Sequence, residues 1–539
     1  MNKSYDNLIK LAIKKLPEHS EEFLLLKKEL CGQLQLPLPT NADLRERYEK
    51  MVATGKIKRQ RKFEKLLLSR RIRTQSGVAI VAVLTKPYPC PGRCIYCPTE
   101  SGMPKSYLSN EPAVMRAISA QFNPYKQVQN RLRSLELNGH KTDKIELIVM
   151  GGTFSFLPKH YQLWFMRECF RACNEYPKKL KVPMPTGRQK SSKFKANDLL
   201  LKEQKHNEKA KHRIIGLTLE TRPDYIDEKE VLNFRNLGCT RVELGVQSIF
   251  DPLLKSNRRG HGVEATIRAT KLLKDAGFKI NYHIMPGLPG SSLPKDIAMF
   301  KALFSNADFQ PDMLKIYPTI VVKNSSLYGL WKKGKYKALT DKQFEKFILK
   351  IKKSFIPPYV RITRLVRDVP ATSIVAGPKI SNIRQLIAHR SGCPCIRCRE
   401  VGADYDIRKK IILDRLDYEA SDGQEIFLQF VSKDKNKLFA LLRLRIPTNY
   451  NRGHFISALR NAAIIREVHT YGKLTSLNKK DSASPQHIGL GKKLMLEAER
   501  IVKKEFGLDK VVVISGVGVR EYYKKIGYRQ KDTYMIKNI

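Results

Sequence analysis

Three cysteines fall within eight residues, Cys90-Pro91-Gly92-Arg93-Cys94-Ile95-Tyr96-Cys97, and a proline flanks them on each side. This C-x3-C-x2-C spacing suits a metal centre. Thiolates from one short loop can ligate a four-iron cluster, and three of them leave one iron open to a ligand that is not protein. A structural zinc site wants four closed ligands, and no fourth Cys or His lies nearby in the sequence. Whatever fold the chain adopts must therefore present this loop at the edge of a cavity.

The spacing resembles the signature of radical S-adenosylmethionine enzymes, whose open iron binds the amino and carboxylate groups of that cofactor. The surrounding chain agrees with a fold that can hold it. A β-branched run from Val78 leads straight into the cysteines, and five more apolar runs follow: Ile145–Met150, Ile214–Leu219, Arg241–Ser248, Ile280–Gly287 and Leu314–Pro318. Helical stretches such as 263–276 lie between them. Such β/α alternation predicts an α/β fold, a parallel, partly closed (β/α) barrel of six strands with ligands at the strands' C-terminal ends. Gly151, Gly152, Glu220, Gln247, His283, Lys315 and Tyr317 fall at those ends. Gly151 and Gly152 would let backbone approach the methionyl part of S-adenosylmethionine. Glu220 and Gln247 are candidate cofactor contacts, Lys315 and Tyr317 candidates for orienting a second substrate, and His283 reads as a packed, hydrogen-bonded strand residue and not a catalytic one. Residues 178–213, poor in apolar side chains and rich in Lys, read as a long loop.

Lys plus Arg number 101 against 51 Asp plus Glu, a formal charge of +50, which points to a polyanionic partner. Between Lys56 and Arg73 lie nine basic residues and one acid, interleaved with Phe63 and Leu66–Leu68. That pattern predicts a basic amphipathic helix, with Lys56, Lys58, Arg59, Arg61 and Lys62 as phosphate contacts. Helical spacing over residues 3–31 places a small helical region before it. No stretch approaches the roughly 20 apolar residues of a membrane span and the first ten residues lack a secretory core, so a cytoplasmic protein is expected. The sequence leaves the oligomeric state open.

A second cluster, Cys393-Pro394-Cys395-Ile396-Arg397-Cys398, suggests a Zn2+ site with His389 as the nearest candidate for a fourth ligand. A second iron cluster is the competing reading. Strand-like runs at Glu425–Phe430 and Leu438–Arg445 follow, then Ala463–His469. The loop Gln486-His487-Ile488-Gly489-Leu490-Gly491 then opens a helix to about Lys504. Backbone N–H groups at a glycine-bearing helix start favour pyrophosphate. The Q-x-x-G-x-G pattern, the strand Val511–Ser515 and the Tyr522-Tyr523 segment resemble the acetyl-CoA site of GNAT acetyltransferases.

Taken together, the segments CPGRCIYCP, NEPAVMRAI, MGGTF, LTLETRPDYID, RVELGVQS, MPGLPG, LKIYPT, IREVHTYG, QHIGLG and ISGVGVREYYKKIGY are similar to the catalytic subunit of Elongator. The C-x-C-x2-C loop resembles its single-chain bacterial and archaeal type. The resemblance covers almost the whole chain. It implies a basic helical tRNA-binding region over 1–76, a radical S-adenosylmethionine barrel over 77–375, a zinc-binding linker over 376–405 and a GNAT domain over 406–539. It also implies the activity, carboxymethylation at C5 of wobble uridine 34 of tRNA. In that chemistry a [4Fe-4S] cluster on Cys90, Cys94 and Cys97, fed by an external electron donor, cleaves S-adenosylmethionine. The resulting radical takes hydrogen from the methyl of acetyl-CoA, and the acetyl carbon adds to the base. Lys315, Glu467, His469, Gln486, His487, Gly489, Leu490, Gly491, Tyr522 and Tyr523 are the positions from which acetyl-CoA contacts are expected. Two other readings remain open on sequence: a protein lysine acetyltransferase with a structural barrel, and a tRNA-binding scaffold without turnover.

Overall fold

The structure, a computed structural model, describes residues 5–68, 77–177, 193–402, 410–472 and 489–539. Seven parallel strands, β1 (Ala79–Leu84), β2 (Lys144–Met150), β3 (Arg213–Thr221), β4 (Arg241–Gln247), β5 (Lys279–Ile284), β6 (Met313–Ile316) and β7 (Arg361–Arg364), lie in sequential order in one sheet. Parallel neighbours need long crossovers, and helices such as Pro124–Leu137, Lys159–Glu175, Val263–Asp275 and Asp341–Ser354 supply them. The sheet ends at β1 and β7 instead of closing on itself, which makes it a partial barrel. Its seventh strand corrects the expected six: Arg361-Ile362-Thr363-Arg364 is too short and too basic to read as a strand in isolation.

Two further expectations are corrected. Residues 193–207 form a helix, Lys193–Asn207, where a loop was expected, and Leu200 on it is fully buried against the barrel. Residues 178–192 lie outside the described residues. The basic stretch after Lys56 is helical only over Arg61–Leu66, with residues 69–73 outside the described part. Lys56, Lys58, Arg59, Arg61 and Lys62 are nevertheless all exposed, while Phe63, Leu66 and Leu67 are buried. These apolar residues close a small core with Leu8, Phe23, Leu44 and Tyr48 from helices Tyr5–Lys15, Ser20–Gln33 and Asn41–Ala53.

The C-terminal region builds a second sheet from β8 (Ile411–Ala420), β9 (Gly423–Ser432), β10 (Leu438–Ile446), β11 (Ala463–Thr470), β12 (Lys510–Val513), β13 (Arg529–Lys531) and β14 (Tyr534–Asn538). Its order is β13-β14-β12-β11-β10-β9-β8, antiparallel except between β11 and β12. The helix Leu490–Phe506 makes the crossover that this parallel pair requires. Because side chains alternate along a strand, the central strands feed two cores. Leu441, Ile464 and Val512 join the apolar cluster of the barrel, whereas Leu442, Ile465, Val511 and Val513 pack under the helix.

Polar contacts fix the same contact surface. Arg466 donates from NH1 to Asp312 Oδ1 at 3.0 Å and to Glu425 Oε2 at 2.9 Å, and Arg445 Nε reaches Asp275 Oδ1 at 2.9 Å. At Gly516 a Cβ would come within 2.0 Å of the Ile215 carbonyl oxygen, so only glycine lets this segment lie on β3. Among the described residues no helix is long and apolar enough to cross a membrane.

Candidate active site

Strand residues on the concave side of the barrel face a cavity of about 1280 Å³ that also reaches into the C-terminal sheet. On β4 these are Arg241, Glu243, Gly245 and Gln247, every second residue of an otherwise apolar strand. Glu243 lies at the centre, 1% exposed. Its carboxylate accepts from Asn281 Nδ2 at 3.1 Å, lies 2.9 Å from His283 Nε2, and is ion-paired with Lys315. Lys315 Nζ also reaches Glu220 Oε1 at 3.4 Å, and Tyr107 OH donates to Glu220 Oε2 at 2.7 Å.

Burial alone would raise the Glu243 carboxyl, but Lys315 and His283 outweigh it and hold the group well below the usual carboxylate range. Burial likewise disfavours the Lys315 ammonium, and the carboxylates of Glu243 and Glu220 outweigh that, so Lys315 is held cationic. The Tyr317 and His283 rings meet edge-on at 5.6 Å, and burial raises the Tyr317 phenol. His283, half-buried and hydrogen-bonded to Glu243, belongs to this polar cluster.

Cys90, Cys94, Cys97 and Gly152 line the same cavity. Arg259 NH1 donates to Cys94 Sγ at 3.5 Å, and the Gly92 N–H donates to Cys90 Sγ at 3.4 Å. Gly92 is tied to its place by Arg222, because a Cβ there would lie 2.4 Å from that guanidinium. The pair Gly151-Gly152 divides. Gly151 has φ +134° and no room for a Cβ beside Thr85, so packing explains it, while Gly152, φ +98°, opens on the cavity. Three soft sulfur donors beside a guanidinium fit a thiolate-ligated cluster.

The second triad differs. The sulfurs of Cys393, Cys395 and Cys398 lie within 4.8 Å of one another, and among the described residues the first triad is not gathered so closely. His389, exposed, does not join them.

At the other end of the cavity β11 and β12 part company. Their pairing stops at Ile465–Val513, yet β11 runs on to Thr470. Beyond that point Glu467 and His469 face the cavity with Gly489, Gly491, Tyr522 and Tyr523. Gly489 starts the helix with φ +74°, and Leu490 packs beneath it. A Cβ on Gly491 would touch Thr470 Cγ2 at 3.5 Å, which places the helix start against the end of β11. Gln486 and His487 lie outside the described residues.

Glu467 accepts from Arg443 Nε at 2.9 Å and from Lys279 Nζ at 3.1 Å. Burial disfavours its charge, but Lys279 and Arg443 prevail and keep it ionised far below the usual range. His469 is held down to about 4, chiefly by burial. An unfolded histidine titrates near 6.5, so unfolding takes up a proton between about 6.5 and 4, and stability falls as pH drops through that window. Urea unfolding at pH 7 and pH 5 is expected to show a loss of the order of 1 kcal/mol that His469→Gln removes. An unchanged pH slope in that variant would contradict a neutral His469.

Sequence reasoning missed Glu243, Tyr107, Arg259 and Lys279. For Glu243 the signal was present: polar residues at period two within an apolar strand mark a face that is not core.

Residues 88–300 match the Radical SAM superfamily and residues 311–391 the Radical_SAM C-terminal domain. The tRNA uridine(34) acetyltransferase of Methanocaldococcus infernus is 46% identical over 493 residues, 88% of each chain. That of Dehalococcoides mccartyi is 44% identical over 87% of this chain and 99% of its own. Elongator complex protein 3 of Homo sapiens is 38% identical over 87% of this chain and 86% of its own. The solved structure of archaeal Methanocaldococcus infernus Elp3 with an N-terminal deletion superposes with a TM-score of 0.71 at 42% identity, covering 86% of this chain and 100% of that one. The chain belongs to the radical SAM family that comprises the tRNA uridine(34) acetyltransferases and Elongator complex protein 3.

Proposed function

We propose that this protein carboxymethylates C5 of wobble uridine 34 of tRNA, using acetyl-CoA as the carbon source and S-adenosylmethionine as the radical source. One observation carries the reading: Cys94, Lys315, Tyr317, Glu467 and Gly491 all open on one cavity. The names of the relatives supply the tRNA position and the acetyl donor. A [4Fe-4S] cluster on Cys90, Cys94 and Cys97, charged by an external electron donor, would with bound S-adenosylmethionine supply hydrogen abstraction from an unactivated methyl.

The remaining work falls to side chains. Arg259 NH1, 3.5 Å from Cys94 Sγ, would offset the negative charge of a cluster held there. Glu220, Glu243 and Lys315 fix charge inside the cavity, where it needs no reorganisation during reaction, and Gln247 and Gly152 border the cofactor end. Glu467, His469, Gly489, Leu490, Gly491, Tyr522 and Tyr523, with Gln486 and His487, would hold acetyl-CoA in a GNAT-type domain over 406–539. The exposed Lys56, Lys58, Arg59, Arg61 and Lys62 would neutralise tRNA phosphates from the region 1–76. Between the barrel (77–375) and that domain, the linker 376–405 would bind Zn2+ through Cys393, Cys395 and Cys398. Sulfurs around one tetrahedral ion sit about 3.8 Å apart, given metal–sulfur bonds of about 2.3 Å, so the tight second triad suits a single ion.

A lysine acetyltransferase has no use for a cavity that continues from its thioester site to three cysteines, and neither does a scaffold. The test is anaerobic incubation of the reconstituted enzyme with isotope-labelled acetyl-CoA, S-adenosylmethionine, reductant and tRNA, followed by nucleoside mass spectrometry. Label is expected in carboxymethyluridine and absent with Cys94→Ala. Unlabelled nucleosides from an enzyme with a full cluster and a competent tRNA would sink the reading.

A further inference from the structure

Arg222, the residue that follows β3, is 5% exposed and lies against the cysteine loop. Its guanidinium is gripped on one side. Nε donates to Asp224 Oδ1 at 2.9 Å and NH2 to Asp224 Oδ2 at 2.7 Å, a bidentate pair, and the Tyr225 ring lies 5.9 Å from its Cζ. NH1 is the arm left over. Among the described residues it is buried with no hydrogen-bond partner, which on a cation is costly unless an acceptor stands where it points.

Glycines make the room for that arm. A Cβ on Gly92, between Cys90 and Cys94, would collide with NH1 and stand 3.7 Å from Cys90 Sγ. On the other side a Cβ on Gly260, φ +81°, would come within 3.1 Å of NH2. The guanidinium is thus wedged between the cysteine loop and the segment that carries Arg259, with NH1 toward Cys90. Arg259 takes the opposite flank, its NH1 3.5 Å from Cys94 Sγ, and it too fits only beside a glycine, since a Cβ on Gly245 would lie 2.7 Å from its NH2. Among the described residues Asp224 alone is ion-paired with either arginine. The excess of positive charge favours an anion, and a four-iron cluster on three thiolates is one.

We propose that Arg222 tunes the reduction potential of the cluster: NH1 donates to a sulfur at the Cys90 corner and makes the cluster easier to reduce. This role rests on the cluster proposed above and deepens that reading, because it names a side chain that sets how readily the external donor's electron is accepted. One electron enters at this step, and no bond forms or breaks. It makes an anion more negative, so a fixed cation in a low-dielectric wall favours the reduced form. Asp224 acts in the opposite direction, since it holds Arg222 in place and cancels part of its charge.

The test is a redox titration of the reconstituted full-length protein, followed by the electron paramagnetic resonance signal of the reduced cluster, without S-adenosylmethionine, tRNA or acetyl-CoA. Arg222→Gln is expected to shift the reduction equilibrium at least tenfold toward the oxidised form, about 59 mV for a one-electron couple, at unchanged iron and sulfide content. Asp224→Asn, which leaves the guanidinium and removes its counter-charge, is expected to shift it toward the reduced form. Arg222→Lys, which keeps the cation, is expected to fall between Arg222→Gln and wild type. A purely structural brace would not give the two positions opposite signs. A smaller shift in Arg222→Gln, or one of the same sign in Asp224→Asn, would overturn the role. If Arg222→Gln holds no cluster, Asp224→Asn decides it, and anything but a shift toward the reduced form overturns it. Midpoints that move as stated in an enzyme that makes no carboxymethyluridine would remove the reaction assignment and leave Arg222 in this role, whereas a wild-type protein that takes up no iron would remove both.

Discussion

Asp312→Ala is expected to cost about 3–5 kcal/mol of stability, because it strands buried cations whose only nearby counter-charges would be shared. Asp312 sits just before β6, fully buried, and accepts from Arg466 NH1 at 3.0 Å and from the Ile280 N–H at 2.9 Å. Arg443 NH1 stands 3.6 Å away and is itself 1% exposed, and Lys274 is buried beside Glu425 at 3.7 Å. Burial disfavours the Asp312 charge, yet Arg466, Lys274 and Arg443 outweigh it and hold the carboxyl well below its ordinary range. A carboxyl depressed in this way contributes stability above its unfolded value near 3.9, and the contribution is lost as pH falls below it. The charged residues span both sheets, so the loss should appear as earlier urea unfolding and faster proteolysis between barrel and C-terminal domain. A change below about 1 kcal/mol would mean that water or neighbouring carboxylates already compensate the arginines.

That network could not have been read from the sequence. Arg466 and Asp312 stand 154 residues apart, and nothing in Arg466-Glu467-Val468-His469 says which of its charges is buried. What could be read was local. Apolar runs ending in glycine or polar residues gave β1 to β6, and the cysteine loop followed from its own spacing. The strands that escaped were those whose burial is supplied by neighbours. β7 is four residues with arginine at each end, and β8 alternates between half-buried and exposed side chains and buries only Ala420. Lysine-rich composition disguised the helix Lys193–Asn207, which carries little apolar moment and is held by Leu200 and a few polar contacts such as Gln204 Nε2 to the Asn236 carbonyl at 2.9 Å. The site was half legible for the same reason. Strand-end residues announced themselves, whereas Tyr107 and Arg259 come from loops whose direction only tertiary packing decides.

Lys315→Met should lower kcat for labelled carboxymethyl transfer about a hundredfold or more while leaving the iron–sulfur absorption of the reconstituted protein intact. The substitution keeps an unbranched chain of similar volume and deletes only the ammonium. In the wild-type protein that ammonium is shared between Glu243 and Glu220, two carboxylates that face one cavity and would otherwise repel. Without it Glu243 keeps His283 and Asn281, but Glu220 keeps only the Tyr107 hydroxyl among the contacts that define the cluster. At least one carboxyl should then take up a proton near neutrality, since like charges in a low-dielectric site cannot both stay ionised. Two readouts separate a chemical role from a structural one. The pH profile of the residual activity should acquire a new ionisation near neutrality, and Lys315→Met combined with Glu243→Gln should recover stability without recovering turnover, because it removes the unpaired charge and not the missing cation. Turnover within about threefold of wild type in Lys315→Met would place this lysine in the scaffold and leave Tyr317 as the strand-end group to test next.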